Sequence, residues 1–360
     1  MTAWPDSTPT AVPPPPYTPR PTSTAAPDIE ALLAHMTLEE KLGQVMVIGF
    51  DGLEPETELL EMIRTYHVGG VILFARNVDS PRQVAELTNA LQRAALESGH
   101  PGLLISMDQE GGRVARLTEN KGFTEFPGAM AIAATGDVEN ARRVAQALAA
   151  EMRAVGINTD FAPDLDVNNN PANPVIGIRS FGSDPARVAA CGVAFLEGLQ
   201  AEGVLAFGKH FPGHGDTGVD SHVELPLVPH DRARLEAVEF VPFKAAMAAD
   251  VAGIMSAHVT FPAIDATPGL PATLSPKVLT GLLRDEMGYG GLLVTDSLEM
   301  GALAQSGYPV PLAAATALEA GADLLLFNRD HALHRAAFKE IRAWLQDGRI
   351  PEARLNEAVR

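Results

Sequence analysis

Short runs of apolar residues recur along the chain, separated by longer stretches whose apolar positions lie three and four residues apart. The short runs are continuous rather than alternating, which is typical of strands in a parallel sheet that is covered on both faces. Eight runs predict strands: VMVIGF (45–50), GGVILF (69–74), LLISMD (103–108), INTDFAP (157–163), VLAFGKH (204–210), GIMSAHV (253–259), GLLVTD (291–296) and ADLLLF (322–327). Eight strands with helices between them predict an α/β fold, a TIM-like (β/α)8 barrel.

The stretches between the predicted strands have helical periodicity. Examples are SPRQVAELTNALQRAAL (80–96) and ARLEAVEFVPFKAAMAA (233–249). The sequence TLEE at 37–40 has the spacing of a capping box, so we expect a helix to begin there.

The first 27 residues differ in composition from the rest. They contain nine prolines and many Ser and Thr residues, and such a segment can neither pair in a sheet nor bury a core. We therefore predict a disordered proline-rich tail over 1–27 and a single folded domain over 28–360.

Polar side chains stand at or just after the ends of six predicted strands. The carboxyl ends of parallel strands meet at one end of a barrel, and barrel enzymes carry their active sites there. We therefore expect these side chains to converge on a functional site. They are Asp108, Asp160, Asp164, Lys209, His210, His258, Asp296 and Asn328.

Charge and composition exclude several classes of partner. The 360 residues carry a formal net charge of −18, which argues against nucleic acid and anionic membrane surfaces as partners. No apolar run is long enough to span a membrane, and no secretory signal is recognisable at the N-terminus. The single cysteine, Cys191, fits a reducing compartment, so we expect a cytoplasmic protein. The sequence does not predict an oligomeric state.

The segment KHFPGHGDTGVDSH (209–222) concentrates one lysine, three histidines and two aspartates. Its GHGDTG (213–218) matches a dinucleotide-binding pattern, but prolines follow where that fold needs a helix. His210, His214 and His222 with Asp216 or Asp220 could ligate zinc, although the spacing matches no compact zinc motif and Lys209 would place a cation beside the metal. The zinc hypothesis stays open.

A third interpretation of this segment is acid–base chemistry in a glycosidase. The carboxylate of Asp296, at the end of a buried strand, could attack the anomeric carbon of a sugar while a second group protonates the leaving oxygen. His222 is suited to that second task because an imidazole has an unperturbed pKa of about 6.5. Asp220 could bond the imidazole and fix its tautomer.

Four long motifs resemble glycoside hydrolase family 3, and most closely its β-N-acetylglucosaminidase branch. They occur in the order of the family: DQEGGRVARL (108–117), NPVIGIRSFGSDP (173–185), KHFPGHGDTGVDSH (209–222) and LLVTDSLEMG (292–301). The resemblance covers the chain from about Met36 to its end. It implies that the folded domain is the catalytic barrel of the family. One departure is Glu299, where the family usually has a small or neutral residue.

The resemblance also implies roles for individual residues. Asp296 would be the nucleophile, and His222 paired with Asp220 the acid/base. The sugar-binding residues of the family correspond to Asp108, Arg116, Arg179, Lys209 and His210.

The expected activity is therefore hydrolysis, with retention, of terminal β-linked N-acetylglucosamine from muropeptide or chitin-type oligosaccharides, with a role in cell-wall recycling and without a cofactor or a metal. Four alternatives remain. They are a β-glucosidase or an N-acetylglucosaminide phosphorylase of the same family, a zinc hydrolase, and a sugar-binding protein without catalysis.

Overall fold

Eight parallel strands form a closed barrel in the computed structural model, which describes residues 28–99, 101–219 and 224–360. The strands are β1 (Met46–Ile48), β2 (Gly70–Ile72), β3 (Leu104–Met107), β4 (Thr159–Asp160), β5 (Leu205–Phe211), β6 (Gly253–Ser256), β7 (Leu292–Thr295) and β8 (Leu325–Leu326). Each strand pairs with the next in the sequence, and β1 pairs with β8 through Met46 and Leu325. A parallel bridge between Val294 and Leu324 closes the ring. The predicted (β/α)8 barrel is confirmed, and every predicted strand is present.

Helices surround the strands. They are α1 (Ile29–His35), α2 (Leu38–Gln44), α3 (Thr57–Arg64), α4 (Pro81–Glu97), α5 (Ala129–Ala134), α6 (Glu139–Ala154), α7 (Pro185–Ala201), α8 (Arg232–Ala237), α9 (Phe240–Ala248), α10 (Gly301–Gln305), α11 (Val310–Ala320), α12 (His331–Gln346) and α13 (Glu352–Val359). A π-helical segment, Lys277–Glu286, precedes β7.

Local sequence determines where several helices begin. The capping box predicted at Thr37 is present: its hydroxyl accepts a hydrogen bond from the Glu40 amide, and the Glu40 carboxylate accepts one from the Thr37 amide. The periodic stretch at 233–249 forms two helices, α8 and α9, rather than one. Pro242 lies in the first turn of α9, where its missing N–H is tolerated, whereas in the middle of a continuous helix it would remove a hydrogen bond.

The apolar core has two layers. The larger one fills the space between the strands and the surrounding helices. The smaller one fills the inside of the barrel and consists of Val47, Ile72, Phe161, Phe207, Met255, Val294, Leu324 and Leu326. Within it, the rings of Phe161 and Phe207 meet edge to face with centroids 5.4 Å apart. The barrel is therefore a packed core rather than a pore.

Two further predictions concern the N-terminal tail and the cellular location of the protein. The proline-rich tail predicted over 1–27 lies outside the described residues. In the described part of the chain, every helix is too short or too polar to cross a membrane. The cytoplasmic location stays a prediction.

Candidate active site

A cavity of about 370 Å³ opens at the carboxyl end of the strands, a volume within the ~300–1,000 Å³ range of small-molecule sites. The family resemblance assigned roles to eight residues. Six of them line the cavity: Asp108, Arg116, Arg179, Lys209, His210 and Asp296. The other two, Asp220 and His222, lie outside the described residues. The cavity also has walls that the sequence did not predict, formed by Phe74, Glu110, His214, Ser297 and further side chains.

An irregularity in β5 accounts for the placement of Lys209 and His210. Consecutive side chains of a regular strand point to opposite faces, yet both of these line the same cavity. The register of β5 against β6 shifts between Lys209 and Phe211, so His210 is an extra residue opposite Met255 and Ser256. Bulges of this kind re-aim side chains next to active sites.

One wall of the cavity begins with the carboxylate of Asp108, directly after β3. Its Oδ1 lies 2.9 Å from Lys209 Nζ, and its Oδ2 lies 3.1 Å from an Arg116 guanidinium nitrogen. Burial alone would raise the pKa of Asp108, but the two cations outweigh it and hold this pKa well below the usual range. Asp108 is therefore an anion that can accept hydrogen bonds from sugar hydroxyls.

Glu110 continues this wall and was not among the predicted site residues. It accepts two parallel hydrogen bonds from Arg179, at 2.9 and 2.8 Å, and its Oε1 lies 2.7 Å from Lys209 Nζ. Burial opposes ionisation, yet the two cations lower the pKa of Glu110 to about 2. Each of the three cations on this wall thus lies beside Asp108 or Glu110, and the two carboxylates neutralise most of the positive charge of Lys209, Arg116 and Arg179.

His210 and His214 are held by a buried carboxylate behind the wall. Asp166 Oδ2 lies 2.7 Å from His210 Nδ1, and Asp166 Oδ1 accepts a hydrogen bond from the His214 amide at 2.6 Å. His210 Nε2 lies 3.5 Å from Arg179. Burial, together with the neighbouring His210, lowers the pKa of His214 to about 4. The His214 ring is therefore neutral near pH 7, and its Nδ1 lies 2.8 Å from the Thr217 hydroxyl.

Not all the polar residues at strand ends reach the cavity. Asp160 and Asp164 are buried against its wall, and burial raises the pKa of both well above the usual range. Asp160 accepts a hydrogen bond from the Gln109 amide. His258 is also buried, and its Nε2 lies 3.0 Å from the carbonyl oxygen of Ser297. These three residues support the loops that carry the lining side chains.

The opposite wall carries Asp296, at the end of β7. Its Oδ1 accepts a hydrogen bond from the Ser297 amide at 2.7 Å. Three residues further on, Glu299 lines the cavity, but its carboxylate is turned toward protein partners. It accepts a hydrogen bond from the Asn328 amide at 2.6 Å and lies 3.2 Å from His334 Nε2. Glu299 therefore links the loop after β7 to the loop after β8 and to α12.

Two groups of side chains have metal-like spacing within the described ranges. They are Asp164, Asp166 and His210, and Asp216, His230 and Glu239. Neither is the set considered from the sequence, which included residues outside the described ranges. Both groups have a guanidinium group beside a carboxylate: Arg179 lies 3.7 Å from Asp164, and Arg234 lies 3.3 Å from Glu239.

Comparison with known proteins gives the chain its family. The family model described as "Glycosyl hydrolase family 3 N terminal domain" matches residues 37–360. The chain belongs to glycosyl hydrolase family 3. The resemblance to this family, inferred from the four motifs, is thereby confirmed.

Relatives within glycosyl hydrolase family 3 support a closer grouping. A "Beta-hexosaminidase A" of Pseudoalteromonas piscicida is 45% identical over 284 residues, which are 75% of this chain and 47% of the relative. A "Beta-hexosaminidase" of Alkalilimnicola ehrlichii is 41% identical over 79% of this chain and 80% of its own length. A solved family 3 β-N-acetylglucosaminidase from Paenibacillus sp. str. FPU-7 superposes with a TM-score of 0.88 and 49% identity, over 90% of this chain and 61% of that one. The chain thus spans about half of the first relative and less than two thirds of the solved structure.

Proposed function

We propose that the protein is a retaining exo-β-N-acetylglucosaminidase. The observation that carries the proposal is the arrangement of the cavity, which has Asp296 on one wall and the buried network of Asp108, Lys209, Glu110 and Arg179 on the other. An anionic nucleophile facing a dense set of hydrogen-bonding groups suits a sugar whose anomeric carbon points toward Asp296. The name of the solved structure from Paenibacillus, a β-N-acetylglucosaminidase, favours N-acetylglucosamine as that sugar. The two other relatives are named beta-hexosaminidases.

In the first chemical step, an Asp296 oxygen forms a bond to the anomeric carbon as the glycosidic C–O bond breaks. The departing oxygen takes a proton from His222, and the product is a glycosyl ester of Asp296. In the second step, a water molecule gives a proton to His222 and attacks the same carbon, which releases Asp296. Two inversions leave the sugar with its original β configuration.

The network on the other wall would hold the sugar for both steps. Asp108 accepts from hydroxyls, whereas Lys209, Arg116 and Arg179 donate to hydroxyl oxygens. Because these side chains are already fixed by each other, little ordering is needed when the sugar binds. The expected natural substrates are muropeptide or chitin-type oligosaccharides with a terminal β-linked N-acetylglucosamine, and the expected role is cell-wall recycling.

The decisive experiment compares an aryl β-N-acetylglucosaminide with the matching aryl β-glucoside. We expect kcat/KM to be at least roughly tenfold higher for the first, since a recognised acetamido group contributes about 1–3 kcal/mol through its hydrogen bonds. Proton NMR of the first product should show the β anomer. A preference for the glucoside would indicate a β-glucosidase, and binding of both sugars without turnover would indicate a sugar-binding protein.

A further inference from the structure

Asn328 lines the cavity shortly after β8. In the ring of strands, β8 lies between β7 and β1. Asp296, directly after β7, lines the same cavity. Asn328 and the proposed nucleophile thus follow neighbouring strands at one rim of the barrel.

The backbone of Asn328 is fixed on two sides. Its amide donates a hydrogen bond to Glu299 Oε1 at 2.6 Å. Its carbonyl oxygen packs so closely on Gly49 that a Cβ atom there would lie 1.7 Å away. Burial would raise the pKa of Glu299, but hydrogen bonds with His334 and with the Asn328 amide lower this pKa. Glu299 is therefore an anion that holds Asn328 in place.

The side-chain amide of Asn328 has a defined orientation. Its Oδ1 accepts a hydrogen bond from an Arg76 guanidinium nitrogen at 2.8 Å. A guanidinium group carries donors and no acceptor, so the oxygen of the amide has to face Arg76. Arg76 is itself fixed, since its Nε lies 2.8 Å from Asp51 Oδ1 and its guanidinium carbon lies 4.3 Å from the centre of the Phe74 ring.

This orientation leaves the nitrogen of the amide, Nδ2, for a ligand. The backbone amide and Oδ1 of Asn328 already have protein partners. Within residues 28–99, 101–219 and 224–360, Nδ2 has no acceptor at hydrogen-bond distance. Asn328 therefore offers the cavity a hydrogen-bond donor whose position is set before a ligand binds.

Apolar side chains lie near this donor. Leu326 precedes Asn328 by two positions, which is the spacing of side chains on the same face of an extended strand, and both residues line the cavity. The Phe74 ring and the Asn328 carbonyl both pack on Gly49, and Phe74 and Met300 also line the cavity. This part of the wall thus combines one oriented donor with apolar surface.

We propose that Asn328 is a specificity-determining residue, whose Nδ2 donates a hydrogen bond to the acetamido carbonyl of the bound sugar. This inference rests on the proposed β-N-acetylglucosaminidase function. An acetamido group has a carbonyl oxygen that accepts a hydrogen bond and a methyl group that gains from apolar contact, whereas a hydroxyl gains nothing from the apolar side chains. The acetamido group is on C2, next to the anomeric carbon that Asp296 attacks, so a residue after the neighbouring strand is suitably placed to meet it.

The test measures kcat/KM for an aryl β-N-acetylglucosaminide and for the matching aryl β-glucoside. Asn328→Ala should lower kcat/KM for the first substrate by about tenfold or more, the scale of leaving a buried polar group without its partner. The glucoside has no acetamido group, so its kcat/KM should change by less than about threefold. The Ki of N-acetylglucosamine as a competitive inhibitor should rise by a similar factor, and that of glucose should stay constant.

A second variant, Asn328→Asp, keeps the size of the side chain and its acceptor for Arg76. It replaces the donor by a carboxylate oxygen, which would face the carbonyl oxygen of the acetamido group. The loss on the N-acetylglucosaminide should therefore be at least as large as in Asn328→Ala, again with little effect on the glucoside. Because the shape is retained, this variant gives a result even if Asn328→Ala unfolds.

A matched control is Asn89→Ala, at an exposed position on α4. It should leave both substrates at the wild-type rate. Thermal unfolding of each variant separates a loss of stability from a loss of recognition.

The outcomes distinguish this inference from the proposed function. A wild-type protein that cleaves neither substrate, or that prefers the glucoside, overturns the proposed function. A wild type that prefers the N-acetylglucosaminide, but whose Asn328 variants lose both substrates equally or lose neither, overturns the role of Asn328 alone. Equal losses would indicate that Asn328 contacts a hydroxyl common to both sugars. The two Ki values decide in the same way where turnover of the glucoside is too slow to measure.

Discussion

The ammonium nitrogen of Lys209 lies 2.7 Å from Glu110 Oε1, with both side chains almost completely buried. Two charges in such surroundings stabilise the fold only as long as both are present, because an unpaired buried charge is strongly destabilising. Arg179 shares the same carboxylate, so Glu110 neutralises part of two cations at once.

Glu110→Gln should therefore lower both stability and sugar affinity. We expect the free energy of unfolding to fall by roughly 3 kcal/mol, the scale of breaking a buried ion pair. Denaturant titration measures this loss of stability. The KM for an aryl N-acetylglucosaminide should also rise, because the ion pairs that fix Lys209 and Arg179 are lost. Glu97→Gln, at an exposed position at the end of α4, serves as the control. Equal stability of the two variants would contradict the claim that the buried ion pairs of Glu110 stabilise the fold.

Replacement of Asp296 tests the nucleophile. Asp296→Ala should lower kcat by at least about 1,000-fold, the scale of losing a nucleophile, while the sugar still binds. A mechanism-based fluorosugar should label the wild-type protein, and peptide mass spectrometry should locate the label at Asp296. A label at any other residue would contradict the assignment.

The acid/base pair is tested by leaving-group dependence. His222→Ala should lower kcat/KM for poor leaving groups by about 100- to 10,000-fold, the usual range for general acid catalysis, and should affect activated aryl substrates far less. Asp220→Ala should cause a smaller loss and shift the pH profile, because the imidazole loses the partner that orients it. Equal losses on both substrate types would exclude His222 as the acid.

His214 should make stability depend on pH. Its pKa is about 4 in the folded state and about 6.5 in the unfolded state. Between these values the unfolded state binds a proton that the folded state does not, so the free energy of unfolding rises with pH from about 4 to about 6.5. The contribution is on the order of 3 kcal/mol.

His214→Asn should remove this part of the pH dependence, and urea titrations at several pH values measure it. His35→Asn, at an exposed site in the last turn of α1, is the control. An unchanged slope in the His214 variant would mean that the pKa of this ring does not differ between the folded and the unfolded state.

Phosphate should compete with water to a small extent in the second step. A neutral imidazole at 222 does not repel an anion as a carboxylate would, but Asp108 and Glu110 already neutralise most of the cationic wall. We expect N-acetylglucosamine 1-phosphate as a minor product, detected by phosphorus NMR at constant ionic strength. Sugar phosphate as the main product would make the protein a phosphorylase, and none at saturating phosphate would refute the prediction.

The strands could be predicted because a buried parallel strand needs a continuous apolar run, and most of the eight runs are bounded by polar or turn-forming residues. The break between α8 and α9 was harder to predict, because apolar spacing continues through it. Only the position of Pro242 distinguishes two short helices from one long helix.

Prediction of the site had a similar limit. Residues at strand ends could be placed together because parallel strands bring their carboxyl ends to one rim. Glu110 could not be assigned to the site by such an argument, since its role depends on its hydrogen bonds with Arg179, which lies 69 positions away in the sequence. The signal was present in DQEGGRVARL, where a second carboxylate follows Asp108 by two residues. The same holds for Asp166, which contacts His210 across 44 positions.

The packed interior of the barrel has a consequence for the kind of polymer that can be cut. Ile72, Met255 and Leu326 belong to the inner apolar layer and also form part of the cavity surface. These inner apolar side chains close the cavity at its floor, so a polysaccharide cannot pass through the barrel. A substrate would therefore enter and leave the cavity on the same side of the barrel, at the carboxyl ends of the strands. A tunnel through the floor would require removal of side chains from the inner apolar layer, which holds the strands together.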